Sequence, residues 1–148
     1  MHSTLLYDDM LFQGAEIGFM VSPDCASFEF FFGPHRLSST QILFLIAESL
    51  SNKGEVGKIL VSEDIEMNPS IFDRLNLSLE FVPEKEFQTH LRQNKHLLAL
   101  DRFNRFYFKG NGVPDALLCG FYLVECFNHE KAIPKLLQSK INEIKECL

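Results

Sequence analysis

Glu63, Asp64 and Glu66 place three carboxylates within four positions of "VSEDIEMNPS", and Asp8 and Asp9 form a second acidic pair near the start of the chain. Carboxylates at this density can do two kinds of work. Held at a fixed separation in a cleft, two of them serve as general acid and general base. Spread over a surface, they dock on a cationic protein. Ile65 and Met67 interrupt the acids, which gives apolar anchors inside a charged rim, a reasonable interface composition. Docking makes the smaller geometric demand. The residues expected to bind a partner are therefore Glu63, Asp64, Ile65, Glu66 and Met67, with Asp8 and Asp9.

Other chemistries find less support. A cysteine nucleophile needs a lowered pKa and a base in reach. Cys25 and His35 lie at opposite ends of one strand-like run, and Cys119 and Cys126 lie inside an apolar stretch. The five histidines are dispersed; His90 and His96 are six positions apart, a spacing that does not align them on one helix face. No Walker or dinucleotide-binding glycine pattern occurs. "DRFNRFYFKGNG" (101–112) raises a nucleic-acid reading, with aromatics stacking bases while Arg102, Arg105 and Lys109 hold phosphates. Strand alternation instead sends Phe106 and Phe108 to one face, as core, and Arg105, Tyr107 and Lys109 to a solvated one. Nucleic acid is not expected as a partner. No catalytic residue, metal ligand or cofactor is assigned.

The elements that would carry these residues follow from the hydrophobic pattern. "AEIGFMVS" and "SFEFFF" read as a hairpin about Pro23 and Asp24. In "SSTQILFLIAESLSNKG", Ser38 and Gln41 form a capping box, Ile42, Leu43, Ile46 and Leu50 a buried stripe, and Gly54 a stop. "GKILVS" is a short buried strand, and "NPSIFDRLN" a helix of about two turns capped by Asn68. "LSLEFV" alternates Leu77, Leu79 and Phe81 inward. "PEKEFQTHLRQN" pairs Phe87 with Leu91 on a helix, and "KHLLAL" and "RFYFKG" follow as strands. Aromatic and β-branched residues predict a strand over 118–127. A final helix over 132–146 carries Ile133, Leu136, Leu137, Ile141 and Ile144 on one face.

The sum is a single α+β domain over residues 1–148, a largely antiparallel sheet with three to four helices packed on a face. The opening residues lack a basic leader pattern, no apolar run approaches the length of a membrane span, and the four cysteines form no CxxC pair. A cytoplasmic protein with reduced thiols is expected. Charge divides unevenly. Residues 1–86 hold 14 acids and 5 bases, and residues 87–148 hold 6 acids and 9 bases. An acidic first half without a catalytic motif favours a non-catalytic protein that binds and masks a basic partner. The concrete form is an immunity- or antitoxin-type inhibitor of a toxin such as a nuclease. The alternatives are a small enzyme with an unrecognised Cys/His/carboxylate site, and a nucleic-acid-binding domain using the basic second half.

Overall fold

A computed structural model describes Gly14 and residues 17–128. The expected final helix over 132–146 and the Asp8–Asp9 pair lie outside the described residues. Two sheets form, and the α+β class holds. In the first, β1 (Ile17–Val21), β2 (Phe28–Phe32) and β3 (His35–Arg36) run antiparallel in that order. In the second, β4 (Gly57–Ser62) lies between β5 (Leu77–Val82) and β6 (His96–Leu100), parallel to both; β7 (Phe106–Phe108) closes the other side antiparallel to β6. Antiparallel pairs are the majority among the described strands, but the chain divides them between two sheets and puts parallel pairs at the centre of the larger one.

Among the described residues, three helices pack on this frame. α1 (Ser39–Asn52) starts at the expected capping box: Ser38 Oγ accepts from the Gln41 amide at 3.2 Å, and Gln41 Oε1 accepts from the Ser38 amide at 2.8 Å. Thr40 through Ala47 are all buried, so α1 is enclosed nearly all round. α2 (Glu84–Arg92) buries Phe87 and Leu91 as their spacing predicts. α3 (Ala116–Asn128) replaces the strand expected over 118–127. Asp115 decides this, because its side chain accepts from the Leu118 amide at 2.9 Å and starts a helix that local β propensity argues against. Gly120 lets α3 come down on the first sheet; a Cβ there would stand 3.3 Å from the rings of Phe19 and Phe28. The segment after Asn68 makes a single 3-10 turn, Pro69–Phe72, in place of a two-turn helix.

Strand alternation divides the core. Ile59, Val61, Leu98, Leu100, Phe106 and Phe108 join α1, Phe30 and the buried face of α3 in one apolar cluster. Leu60, Val82, Ala99 and Tyr107 point the other way and meet Phe87 and Leu91 of α2. Both faces of the second sheet are therefore covered. Tyr107, expected on a solvated face, is 2% exposed with the Phe87 ring against it at 6.1 Å. Phe81, expected inward, is exposed on the edge strand β5. No helix among the described residues is long and apolar enough to cross a membrane.

Candidate functional site

Because β4, β5 and β6 are parallel, their C-terminal ends reach one edge of the sheet, and the loops that follow them share that edge. Ligands of open parallel sheets bind there. The best-defined of these loops is Asp101–Arg105, between β6 and β7. Asp101 is 3% exposed, and its carboxylate accepts four hydrogen bonds. Oδ1 takes the amides of Phe103 at 2.9 Å and Arg105 at 3.0 Å. Oδ2 takes Arg105 Nε at 2.7 Å and the Tyr107 hydroxyl at 2.9 Å. The Asp101 amide donates to the Arg105 carbonyl, and Asn104 takes the left-handed φ of 62° that the tight turn requires. One buried carboxylate thus fixes a whole loop.

The electrostatics follow from this arrangement. Burial, reinforced by the Asp101 carboxylate, pushes the Tyr107 phenol up to about 12, so it stays a donor. Partial burial works against the Arg105 charge, but the Asp101 hydrogen bond and charge outweigh it and raise the guanidinium pKa. Between these anchored residues the Phe103 ring stands 56% exposed. The Arg102 and Arg105 guanidiniums lie 4.6 Å and 5.0 Å from its centroid. Arg102 also reaches Glu84, at the start of α2, at 3.6 Å. The loop therefore presents an aromatic ring with two cations over it.

The first sheet contributes a wall. Its β1–β2 turn is closed by Asp24, which accepts from the Ser22 hydroxyl and the Ala26 amide. Those bonds, the serine first, lower the Asp24 pKa, with a smaller contribution from the Arg105 charge. The Cys25 carbonyl accepts from the Ala116 amide at 2.9 Å, and the Phe106 carbonyl accepts from the Asp115 amide at 2.9 Å. The turn, the start of β7 and the start of α3 are so tied together.

The acidic segment singled out from sequence leaves β4 at this same edge. Glu63, Asp64 and Glu66 are exposed, whereas Ile65 and Met67 are half-buried and pack against the core. Backbone pairing fixes the inward turn, since the Glu63 amide donates to the Val82 carbonyl and the Ile65 amide to the Ser62 carbonyl, both at 3.0 Å. Cys25 and His35 stay at opposite ends of β2. Cys119 is buried, and burial pushes its thiol far above the range of a reactive thiolate. Among the described residues, no group of three or more His, Cys, Asp or Glu side chains could hold a metal ion. Sequence reasoning met Arg102 and Arg105 only as phosphate contacts for nucleic acid. Asp101 was missed altogether, because its role depends on which strand end it terminates.

No protein-family model and no curated protein matches the chain. Solved structures do. A phosphoglucomutase/phosphomannomutase family protein of Burkholderia thailandensis superposes with a TM-score of 0.76 at 18% identity, over 93% of this chain and 32% of its own. A protein described as a putative phosphomannomutase, from Thermus thermophilus, gives 0.76 at 13% identity, over 99% of this chain and 35% of its own. The fold is shared with part of these mutases. The chain spans about a third of their length. This finding overturns the expectation of a non-catalytic, immunity- or antitoxin-type toxin inhibitor, and with it the expectation that the chain has no enzymatic role.

Proposed function

We propose that the chain binds a phosphorylated hexose on the Arg102–Phe103–Arg105 loop, as the sugar-phosphate-binding part of a phosphohexomutase-type activity. The observation that carries this reading is the exposed Phe103 ring with two guanidiniums over it, at the carboxyl edge of the parallel strands. A hexose phosphate needs two kinds of contact. Its phosphate is matched by guanidinium forks, which hold anionic oxygens by charge-assisted hydrogen bonds. The apolar C–H face of its ring meets the part of the Phe103 ring that the two guanidiniums leave exposed, the usual division between an apolar lining and a few placed polar groups. Glu63 and Asp64, in the loop after β4, and Glu84, at the start of α2, are acceptors for sugar hydroxyls at this edge. The names of the mutases that share the fold supply the substrate class. Among the described residues, the free thiols of Cys25, Cys119 and Cys126 suit a reducing cytoplasm.

The part these residues play is binding and orientation. Asp101 holds Arg105 Nε, which leaves the terminal nitrogens of that guanidinium to the phosphate. Arg102, held less closely by Glu84, swings onto a second phosphate oxygen. Calorimetric titration with glucose 1-phosphate and mannose 1-phosphate tests this, with glucose and inorganic phosphate as partial ligands. Both phosphosugars are expected to bind more tightly than either partial ligand. Phe103→Ala and Arg105→Lys should each weaken them about tenfold, the equivalent of about 1.4 kcal/mol. Binding indifferent to both substitutions, or absent in the wild type, would remove the proposal. Phosphorus NMR on the same samples reads conversion of the 1-phosphate to the 6-phosphate.

A further inference from the structure

β5 is the outermost strand on its side of the second sheet, and among the described residues it pairs only with β4. The Glu63 amide donates to the Val82 carbonyl, so Val82 turns its backbone polar groups toward β4. By strand alternation Ser78 and Glu80 do the same, and the N–H and C=O groups of Leu77, Leu79 and Phe81 point away from the sheet. The register of Gly57–Ser62 with Leu77–Val82 is unbroken, which keeps this edge regular along its whole length. Soluble proteins blunt such edges with bulges, prolines or lysines. Leu77–Val82 contains none of these, and Phe81 stands 39% exposed on it.

The residues of the edge also select what fits it. An antiparallel strand added there sets outward-bonding residues opposite outward-bonding residues. For a second copy of β5, that rule leaves few arrangements. A pair centred on Glu80 sets two glutamates opposite each other, a like-charge contact. A pair centred on Phe81 sets Leu79 against Pro83, which has no amide to give. Centres on Leu77 or Ser78 leave Phe81 opposite residues outside the strand. A pair centred on Leu79 has none of these faults. It joins Leu79 to Leu79, Leu77 to Phe81 and Ser78 to Glu80, with the apolar pairs on one face and the polar pairs on the other. Glu80 enters that contact already neutralised by Lys58 at 2.7 Å. The same register brings the Arg74 end of one strand to the Glu84 end of the other, so opposite charges meet there as well. We infer that β5 pairs antiparallel with β5 of a second copy about a twofold axis at Leu79, joining two four-stranded sheets into one. This inference is independent of the sugar-phosphate reading.

A contact of one strand pair is small, so association belongs in the micromolar range. Sedimentation equilibrium on the full chain, from micromolar to millimolar concentration, should show a monomer in exchange with a dimer. Ser78 is exposed, so its substitutions leave the core alone, and they test the register by sign. Ser78→Glu sets two like-charge pairs across the axis and should weaken the dimer about fivefold, whereas Ser78→Arg should tighten it about as much. Phe81→Pro removes an outward N–H that β4 does not use and should abolish pairing, with far-UV circular dichroism as the check on folding. If that variant unfolds, hydrogen exchange on the wild type takes its place. The Leu79 and Phe81 amides should exchange at least tenfold more slowly at millimolar than at micromolar concentration. A chain that stays monomeric throughout overturns the inference. So does a dimer that Ser78→Glu and Ser78→Arg leave unchanged, or one in which those two amides exchange equally fast at both concentrations.

Discussion

Asp101→Asn is the substitution that bears hardest on the architecture of the site. The change keeps volume and shape but removes the charge and two acceptor positions. An asparagine whose oxygen takes the Phe103 and Arg105 amides turns its NH2 toward Arg105 Nε and the Tyr107 hydroxyl. The hydroxyl can rotate to accept; Arg105 Nε cannot. Hydrogen bonds to a charged group contribute about 1.5–3 kcal/mol, and separating a buried pair costs about 3–5 kcal/mol. Arg105 is one-third exposed, so solvent screens part of that loss. The expected destabilisation is about 2–3 kcal/mol, read as a fall of about 1–2 M in the urea midpoint. Tyr107→Phe should cost about 1–2 kcal/mol, and the double variant less than the sum of the singles by about 1 kcal/mol, because both lose the same contact. A loss under about 1 kcal/mol for Asp101→Asn, or additivity in the cycle, would show that the carboxylate does not organise the loop. The Tyr107 phenol gives a second check. Its folded pKa of about 12 lies above the ordinary 10.0, so its contribution is complete below pH 10 and disappears as pH rises to about 12. Between those limits, wild-type stability should fall toward that of Tyr107→Phe.

His96, 1% exposed, has no completed hydrogen bond at either ring nitrogen among the described residues. The Phe108 backbone approaches it, but burial dominates and lowers its pKa from 6.5. An unfolded chain then binds a proton that the folded one refuses, so stability should fall as pH drops below about 6.5, at up to about 1.4 kcal/mol per pH unit. Thermal unfolding from pH 7.5 to 5 should show this loss in the wild type and much less of it in His96→Phe. At Gly57 an added Cβ would stand 2.8 Å from Leu97 Cγ, where the β4–β6 register shifts. Gly57→Ala should cost about 1–3 kcal/mol in urea unfolding, with Leu97→Ala in the same chain recovering part of it. Ser38→Ala removes the capping box of α1 and should cost about 1 kcal/mol by the same assay, with Ser38→Thr close to neutral.

Most individual elements could be read from the residues, and their assembly could not. The α1 capping box, the β1–β2 hairpin and the Phe87–Leu91 pair are local signals with local causes. The α3 segment failed because Phe121, Tyr122 and Val124 favour strands locally, while one aspartate cap and the core pocket for Cys119 and Leu123 favour a helix. Parallel pairing had a trace in the sequence. "KILV" and "LLAL" contain unbroken apolar runs, as strands buried on both faces tend to. Tyr107 shows the consequence: period-2 alternation sends it away from Phe106 correctly, but only the crossing of α2 turns that side into a second core. The site was harder still. Arg102, Phe103 and Arg105 look like a solvated strand edge until Asp101 is known to end a parallel strand.

The acidic first half needs a different explanation once the toxin-masking role is gone. Negative charge beside the proposed anion site opposes phosphate binding. Glu63, Asp64 and Glu66 follow β4, and both arginines follow β6, the neighbouring strand. Paired strands lie about 5 Å apart, within the screening length of about 8 Å at physiological ionic strength, so the acids weigh on an anion held at the arginines. The acids would then discriminate against ligands that are all anion, and the arginines against ligands without one. Glu63→Gln with Asp64→Asn tests this division. Inorganic phosphate should bind more tightly to that variant, by up to about fivefold or 1 kcal/mol, while the hexose phosphate gains less because it loses hydroxyl acceptors. Equal gains for both ligands would mean the acids act only as background charge.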